Sequence, residues 1–226
     1  MGLLYGFREV RPVVTYLLVA ANIVVFGLTY LVGRIWIILL WGLTPINILE
    51  ANNPLTFSYG IATIFTSMFI HDGVLHIFFN MWALLILGRE VEVALGRARF
   101  TLLYFLSGFV GGLAYVSTAL FIPRNLLIPA VGASGAVFGV MGAFAVLFPR
   151  RPLAMFFYLI PIIAPAFVAI AILAIIQTIL ALILPFSSIA YSAHVGGLAV
   201  GFAAALIWKR LVMRKYYGYY WALNDF

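Results

Sequence analysis

The chain consists of long apolar runs separated by short polar stretches. About 20 apolar residues are enough to cross a lipid bilayer, and several of these runs reach that length. The pattern predicts an all-α, polytopic membrane bundle of six transmembrane helices, at residues 13–33, 73–88, 101–121, 134–148, 166–184 and 191–208. The second and fourth runs are short. Their helices are therefore expected to start below the outer membrane surface and to leave a depression that water enters.

Two apolar segments do not fit simple crossings. Residues 35–43 carry Trp36 and Trp41 in a run too short to span the bilayer, and Trp prefers the membrane interface. This segment is expected to be a loop lying on the membrane. Residues 153–165 contain two prolines, which interrupt helices, so an interfacial or kinked entry into the fifth helix is expected there.

The composition indicates the same environment. Hydrophobic residues make up 66% of the chain and charged residues 8%, and the 57 residues 152–208 contain no Asp, Glu, Lys or Arg. Such a stretch cannot form the surface of a soluble fold. The spans leave no room for a second domain, so we expect a short tail at 1–12, one membrane domain at 13–211 and a second tail at 212–226.

The net charge of +7 does not indicate a nucleic-acid partner, because 11 of the 13 basic residues lie in clusters beside the apolar runs. These clusters are Arg8 with Arg11, Arg89 with Arg97 and Arg99, Arg150 with Arg151, and Lys209, Arg210, Arg214 and Lys215. Positive residues in short loops mark the cytoplasmic side of a membrane protein. The prediction is a multi-pass protein of the cell membrane with both termini in the cytoplasm.

Under this topology polar side chains from three helices lie at one depth. Ser134, His76 and His194 each lie near the outer end of their helix, and Asn80 lies on the same helix face as His76. A helix-capping serine or a packed histidine explains each residue taken alone. Their joint placement favours a hydrolase whose site opens to the exterior. There, His194 would take the proton of the weak nucleophile Ser134.

The sequence also offers candidate residues for the oxyanion donors of such a site and for the packing of its helices. Asn80, His76 and the backbone N–H of Ser134 are expected to bind the oxyanion. Small residues would let the serine and histidine helices approach closely: Gly135, Gly139, Gly142, Gly197 and Gly201. No acidic third member is evident, since only Glu50 and Asp72 map to the outer side, and Asp72 is expected to cap the second helix. We therefore predict a Ser-His dyad.

At this point the chain resembles the rhomboid intramembrane serine proteases. The resemblance rests on motifs that occur in the order of the family: Thr66-Ser67-Met68-Phe69-Ile70-His71, His76-Ile77-Phe78-Phe79-Asn80-Met81, Gly88-Arg89-Glu90-Val91-Glu92, Gly132-Ala133-Ser134-Gly135 and Ala193-His194-Val195-Gly196-Gly197 with Gly201. Where the family often carries a Trp-Arg pair before the first motif, this chain has Ala62-Thr63, so its first loop is expected to be anchored differently.

The resemblance implies a six-helix core with Ser134 as nucleophile, His194 as general base, and His76, Asn80 and the Ser134 amide around the oxyanion. It implies that Phe138 stacks on His194. It also implies cleavage of single-pass membrane proteins within the bilayer, without metal or cofactor. His71 is expected to bond the first loop to the start of the second helix, and residues 184–191 to cap the cavity.

Other classes of protein explain the pattern less well. A catalytically inactive relative that binds transmembrane clients usually lacks the serine or the histidine, and both are present here. A transporter or channel would need polar residues along a pathway, but the inner halves of these spans carry no comparable series. A soluble hydrolase with Gly-x-Ser-x-Gly is excluded because Ala136 takes the last position.

Overall fold

The computed structural model describes residues 11–157, 160–184 and 189–224. Its helices are α1 (Val13–Val32), α2 (Arg34–Trp41), α3 (Ile46–Leu49), α4 (Pro54–Thr66), α5 (Val74–Ala83), α6 (Arg89–Leu95), α7 (Arg97–Thr118), α8 (Ser134–Leu147), α9 (Ala166–Ile183) and α10 (Tyr191–Asn224). Short 3₁₀ turns lie at Ser67–Phe69 and Pro123–Leu127, and a π-helical segment, Leu84–Gly88, joins α5 to α6. Two strands, β1 (Pro152–Phe157) and β2 (Ile160–Pro165), lie between α8 and α9.

The predicted all-α membrane bundle is confirmed. Within the described residues, five helices are long and apolar enough to cross a membrane: Val13–Val32, Val74–Leu95, Arg97–Thr118, Ala166–Ile183 and Tyr191–Val212. The remaining predicted crossing, α8, has 14 residues and is shorter than a full span. The expectation of a short second helix is wrong, because the π-helical segment continues α5 into α6 and gives 22 residues.

The helix α8 forms the centre of the bundle. Ten of its 14 residues are buried, and its small residues lie against α10. A Cβ added at Gly201 would overlap the carbonyl oxygen of Gly139, and one added at Gly197 would overlap that of Gly135. The two helices therefore touch backbone to backbone, which fixes the distance between their side chains at the end that carries Ser134 and His194.

A buried carboxylate secures the N-terminal end of α1. Glu92 of α6 is fully buried, and its oxygens accept hydrogen bonds from the backbone N–H groups of Val14 at 2.9 Å and Thr15 at 2.7 Å. The Thr15 hydroxyl donates to it as well, at 2.7 Å. Pro12, the residue before α1, offers no side-chain cap, so Glu92 takes over donors that a helix start leaves free.

The segment between α1 and α5 is more ordered than the sequence indicated. Residues 35–43, expected to be a loop, form most of the exposed helix α2, and α4 was not predicted. Arg34 forms an ion pair with Asp72 at 2.5 Å, so the prediction that Asp72 caps the second helix is wrong; Gly73 precedes that helix without a side-chain cap. The hydroxyl of Thr66 donates to the carbonyl of Trp41 at 2.8 Å and joins α4 to α2.

The expected interfacial or kinked entry at 153–165 is an antiparallel hairpin, in which Pro152 pairs with Pro165 and Phe157 with Ile160. Because proline interrupts a helix, strand pairing is the available way to bond this backbone. The predicted limits of the membrane domain stay a prediction, and α10 continues past residue 211 to Asn224. Most of the 1–12 tail and residues 185–188 of the predicted capping loop lie outside the described residues.

Candidate active site

Ser134 and His194 come together although 60 residues separate them. Ser134 is the first residue of α8, and His194 lies in the first turn of α10. The serine Oγ lies 2.8 Å from Nε2 of His194, which is hydrogen-bonding distance. His194 is buried and Ser134 is partly buried. The geometry is that of a hydroxyl and a base that can exchange a proton.

Aromatic rings hold the imidazole of His194 on two sides. Phe138 lies one turn after Ser134 on α8, and its ring stacks on that of His194 with centroids 4.3 Å apart and planes 3° from parallel. Tyr191 presents an edge from α10, with centroids 6.2 Å apart. These contacts restrict the tilt of the imidazole plane relative to Ser134.

His76 and Asn80 lie on α5, on the face toward the turn before Ser134. A Cβ added at Gly132 would come within 2.6 Å of Nε2 of His76. Gly132 has φ of 118°, a conformation that favours glycine, so a larger residue there would be strained and would displace His76. Asn80 is buried and donates one amide N–H to the carbonyl of His76 at 2.9 Å. Its second N–H remains for another acceptor.

The turn before Ser134 is tied to the segment between α1 and α5. Leu43 and Ala130 exchange two backbone hydrogen bonds of 2.9 Å, and the N–H of Gly132 donates to the carbonyl of Ser67 at 2.9 Å. The N–H of Ala133 donates to Nε2 of His71 at 3.4 Å. His71 therefore bonds the start of α8, whereas the sequence predicted a bond to the start of the second helix.

The ring of His71 is neutral at pH 7. Burial lowers its pKa to about 4, and the nearby ring of His76 acts in the same direction. A neutral imidazole keeps one nitrogen free to accept the Ala133 N–H. This bond thereby depends on the buried environment of His71.

Sequence reasoning missed one residue of the site. Oε1 of Gln177, on α9, lies 2.7 Å from Nδ1 of His194. A signal was present, because Gln177 is the single glutamine of the chain and sits inside an otherwise apolar span. The third member of such a site was expected to be a carboxylate, and Gln177 is an amide.

A small cavity opens beside the serine. It has a volume of about 40 Å³, and its lining includes Met68, Tyr115, Ser134 and Ala193. A site of this size admits a small side chain or a few water molecules. Across the part of the chain that the structure describes, no three His, Asp or Glu side chains cluster closely enough to hold a metal ion.

Comparison with known proteins identifies the family. The rhomboid domain model matches residues 59–211, which contain all of the side chains described above from α5, α8, α9 and α10. The chain belongs to the rhomboid family.

Individual relatives support this rhomboid assignment. The chain is 33% identical over 205 residues to the rhomboid protease GluP of Bacillus subtilis, covering 88% of this chain and 35% of that protein. It is 34% identical over 150 residues to RHOMBOID-like protein 4 of Arabidopsis thaliana, covering 66% of this chain and 34% of that protein. Inactive RHOMBOID-like protein 8 of the same plant is 39% identical over 89 residues, covering 39% of this chain and 24% of that protein. The rhomboid chain thus spans about a third or less of each of these relatives.

Proposed function

We propose that this protein is an intramembrane serine endopeptidase that cleaves the transmembrane segments of single-pass membrane proteins. The observation that carries the proposal is the distance of 2.8 Å between Oγ of Ser134 and Nε2 of His194 at the outer end of the bundle. Family membership supports the protease class, and one relative is named as a protease.

The proposed reaction uses the two side chains in sequence. Nε2 of His194 takes the proton of the Ser134 hydroxyl as Oγ attacks the scissile carbonyl, and the proton then passes to the departing amine. This breaks the peptide bond and leaves an ester on Ser134. Water, activated by the same nitrogen, hydrolyses the ester, returns the proton to Ser134 and releases the new carboxyl group.

The charge that develops on the carbonyl oxygen needs donors. We assign this role to the free amide N–H of Asn80, a ring N–H of His76 and the backbone N–H of Ser134, which a helix start leaves unbonded. The cavity of about 40 Å³ beside Ser134 favours a small substrate residue at the cleavage position. No metal or cofactor takes part in the proposed reaction.

The location is part of the proposal. Ser134 and Arg150 lie at opposite ends of α8, and the ion pair of Arg151 with Glu90 places the start of α6 at the same end as Arg150. With positive loops in the cytoplasm, both termini are cytoplasmic and the site opens to the exterior of the cell membrane.

The experiment compares wild-type protein with Ser134→Ala and His194→Ala in liposomes that contain single-span substrates. Both variants should lose cleavage, and the double variant should be no worse than either, since the two groups act as a unit. A serine-directed fluorophosphonate should label wild-type protein at Ser134, His194→Ala far less, and Ser134→Ala not at all.

A competing function is the binding of transmembrane clients without cleavage, and one relative is named as inactive. Client binding by wild-type protein that shows neither cleavage nor labelling would establish that function instead. If purified Ser134→Ala cleaved substrate as fast as wild type, Ser134 would not be the nucleophile.

A further inference from the structure

The amide of Gln177 is placed to control the state of His194. Its Oε1 lies 2.7 Å from Nδ1, and the opposite ring nitrogen, Nε2, lies 2.8 Å from Oγ of Ser134. The imidazole therefore bridges α9 and α8 through its two nitrogens. An interaction at one nitrogen fixes which nitrogen carries the proton.

The chemistry of the site decides the direction of these hydrogen bonds. A neutral imidazole has one N–H and one acceptor nitrogen. To accept the serine proton, Nε2 must be the acceptor, so the proton resides on Nδ1 and is donated to Oε1 of Gln177. The reverse tautomer would point an N–H at Ser134 and could not act as its base.

The position of Gln177 on α9 argues against a role in packing alone. The three buried residues of α9, Ala166, Ala169 and Ile170, lie at its first turns. The adjacent Thr178 satisfies its hydroxyl within α9, on the carbonyl of Ala174 at 2.8 Å. The side chain of Gln177 instead bonds to a residue of another helix, although a polar group inside a membrane span is energetically costly.

We propose that Gln177 is a positioning residue that holds His194 in the tautomer and orientation in which Nε2 accepts the proton of Ser134. This inference rests on the proposed function, since it assigns His194 the role of base. Among the described residues, the partner at Nδ1 of His194 is this amide and not a carboxylate. An amide oxygen selects the same tautomer without placing a negative charge among apolar helices. Stacking by Phe138 fixes the ring plane, and Gln177 fixes the rotation within that plane.

The test uses Gln177→Met, which keeps the length of the side chain and removes the acceptor, and Gln177→Glu, which keeps an acceptor oxygen. Thr178→Val, one residue along the same helix, is the matched control for disturbance of α9. Gln177→Met should lower kcat by roughly 10-fold with KM nearly unchanged, since one hydrogen bond to the base is lost. At pH 8, Gln177→Glu should stay within about threefold of wild type, because an ionised carboxylate still accepts a hydrogen bond, and Thr178→Val should match wild type.

A second readout does not depend on cleavage. Nitrogen NMR of histidine-labelled protein in liposomes should show His194 of the wild type with its proton on Nδ1, and Gln177→Met should show a mixture of both tautomers. A wild-type proton on Nε2, or a Gln177→Met protein with unchanged kcat and unchanged tautomer, would overturn the positioning role. Loss of kcat in Gln177→Glu equal to that in Gln177→Met would also count against it. If wild-type protein neither cleaves nor labels, the proposed function fails, while the NMR result still decides the role of Gln177.

Discussion

At the scale of single residues, the three histidines have different roles because their burial and their contacts differ. His194 lies between Ser134 and Gln177 and is proposed as the base. His76 lies over the turn at Gly132 and is proposed as an oxyanion donor. His71 accepts the N–H of Ala133, so its task is to hold the start of α8 in place.

The lowered pKa of His71 makes stability depend on pH. The pKa of His71 is 6.5 in the unfolded chain and about 4 in the native protein. Protonation therefore favours the unfolded chain, and the free energy of unfolding decreases as the pH falls from 6.5 toward 4. A shift of this size corresponds to about 3 kcal/mol at most. Unfolding in detergent micelles from pH 7 to 4.5 should show a smaller loss for His71→Gln, which keeps an acceptor but does not titrate.

The other titrating groups, including the adjacent His76, are common to both proteins, so the difference between their pH curves isolates His71. Parallel curves for wild type and His71→Gln would show that His71 is not the group responsible.

At the scale of helices, the site depends on how closely α8 and α10 approach. The serine and the histidine lie on different helices, and no local interaction sets their separation. Gly197 and Gly201 meet the carbonyls of Gly135 and Gly139 without any side chain between them. The hydrogen bond between Ser134 and His194 is thus a consequence of backbone contact along the helices.

Gly201→Ala should therefore lower both stability and cleavage. The added methyl group meets a backbone carbonyl that cannot move away as a flexible side chain would, and such overpacking costs about 3 kcal/mol. Gly27→Ala is the matched control, because a Cβ there meets nothing within 4 Å and alanine favours the helix by about 0.5 to 1 kcal/mol. Denaturation midpoints and turnover in micelles measure both effects; equal behaviour of the two variants would contradict close packing at Gly201.

At the scale of the whole molecule, the distribution of charge and exposed apolar surface indicates how the bundle sits in the bilayer. Large apolar side chains face outward on several helices, among them Leu31, Leu182 and Ile207, with exposed fractions of 85%, 76% and 73%. A soluble protein rarely presents such a surface. The lipid supplies the missing contacts, and the basic clusters predict the orientation.

Cysteine labelling tests this orientation without background, since the chain contains no cysteine. A cysteine at Arg150, beyond the inner end of α8, should react with a membrane-impermeant reagent only after cells are opened. A cysteine at Leu127, which is 68% exposed in the turn between α7 and α8, should react in intact cells. The reverse pattern would place the site on the cytoplasmic side.

The sequence by itself determined the class of the molecule and the residues at which several of its helices begin. The start of α1 at Val13 followed from hydropathy, because the thickness of the bilayer fixes the length of an apolar crossing. The start of α9 at Ala166 followed from the prolines before it, which interrupt a helix. The motifs around Ser134 and His194 identified the family, since each motif is local in the chain.

Only the tertiary structure decided which side chains meet across the bundle. Glu92 lies between the predicted spans 73–88 and 101–121, yet it caps α1, 77 residues from Thr15. The amide of Gln177 meets His194 from another helix, and α8 lies in the centre of the bundle. Hydropathy reports how each segment interacts with lipid. It carries no information on the rotation of one helix against another, and that rotation determines which polar atoms meet inside.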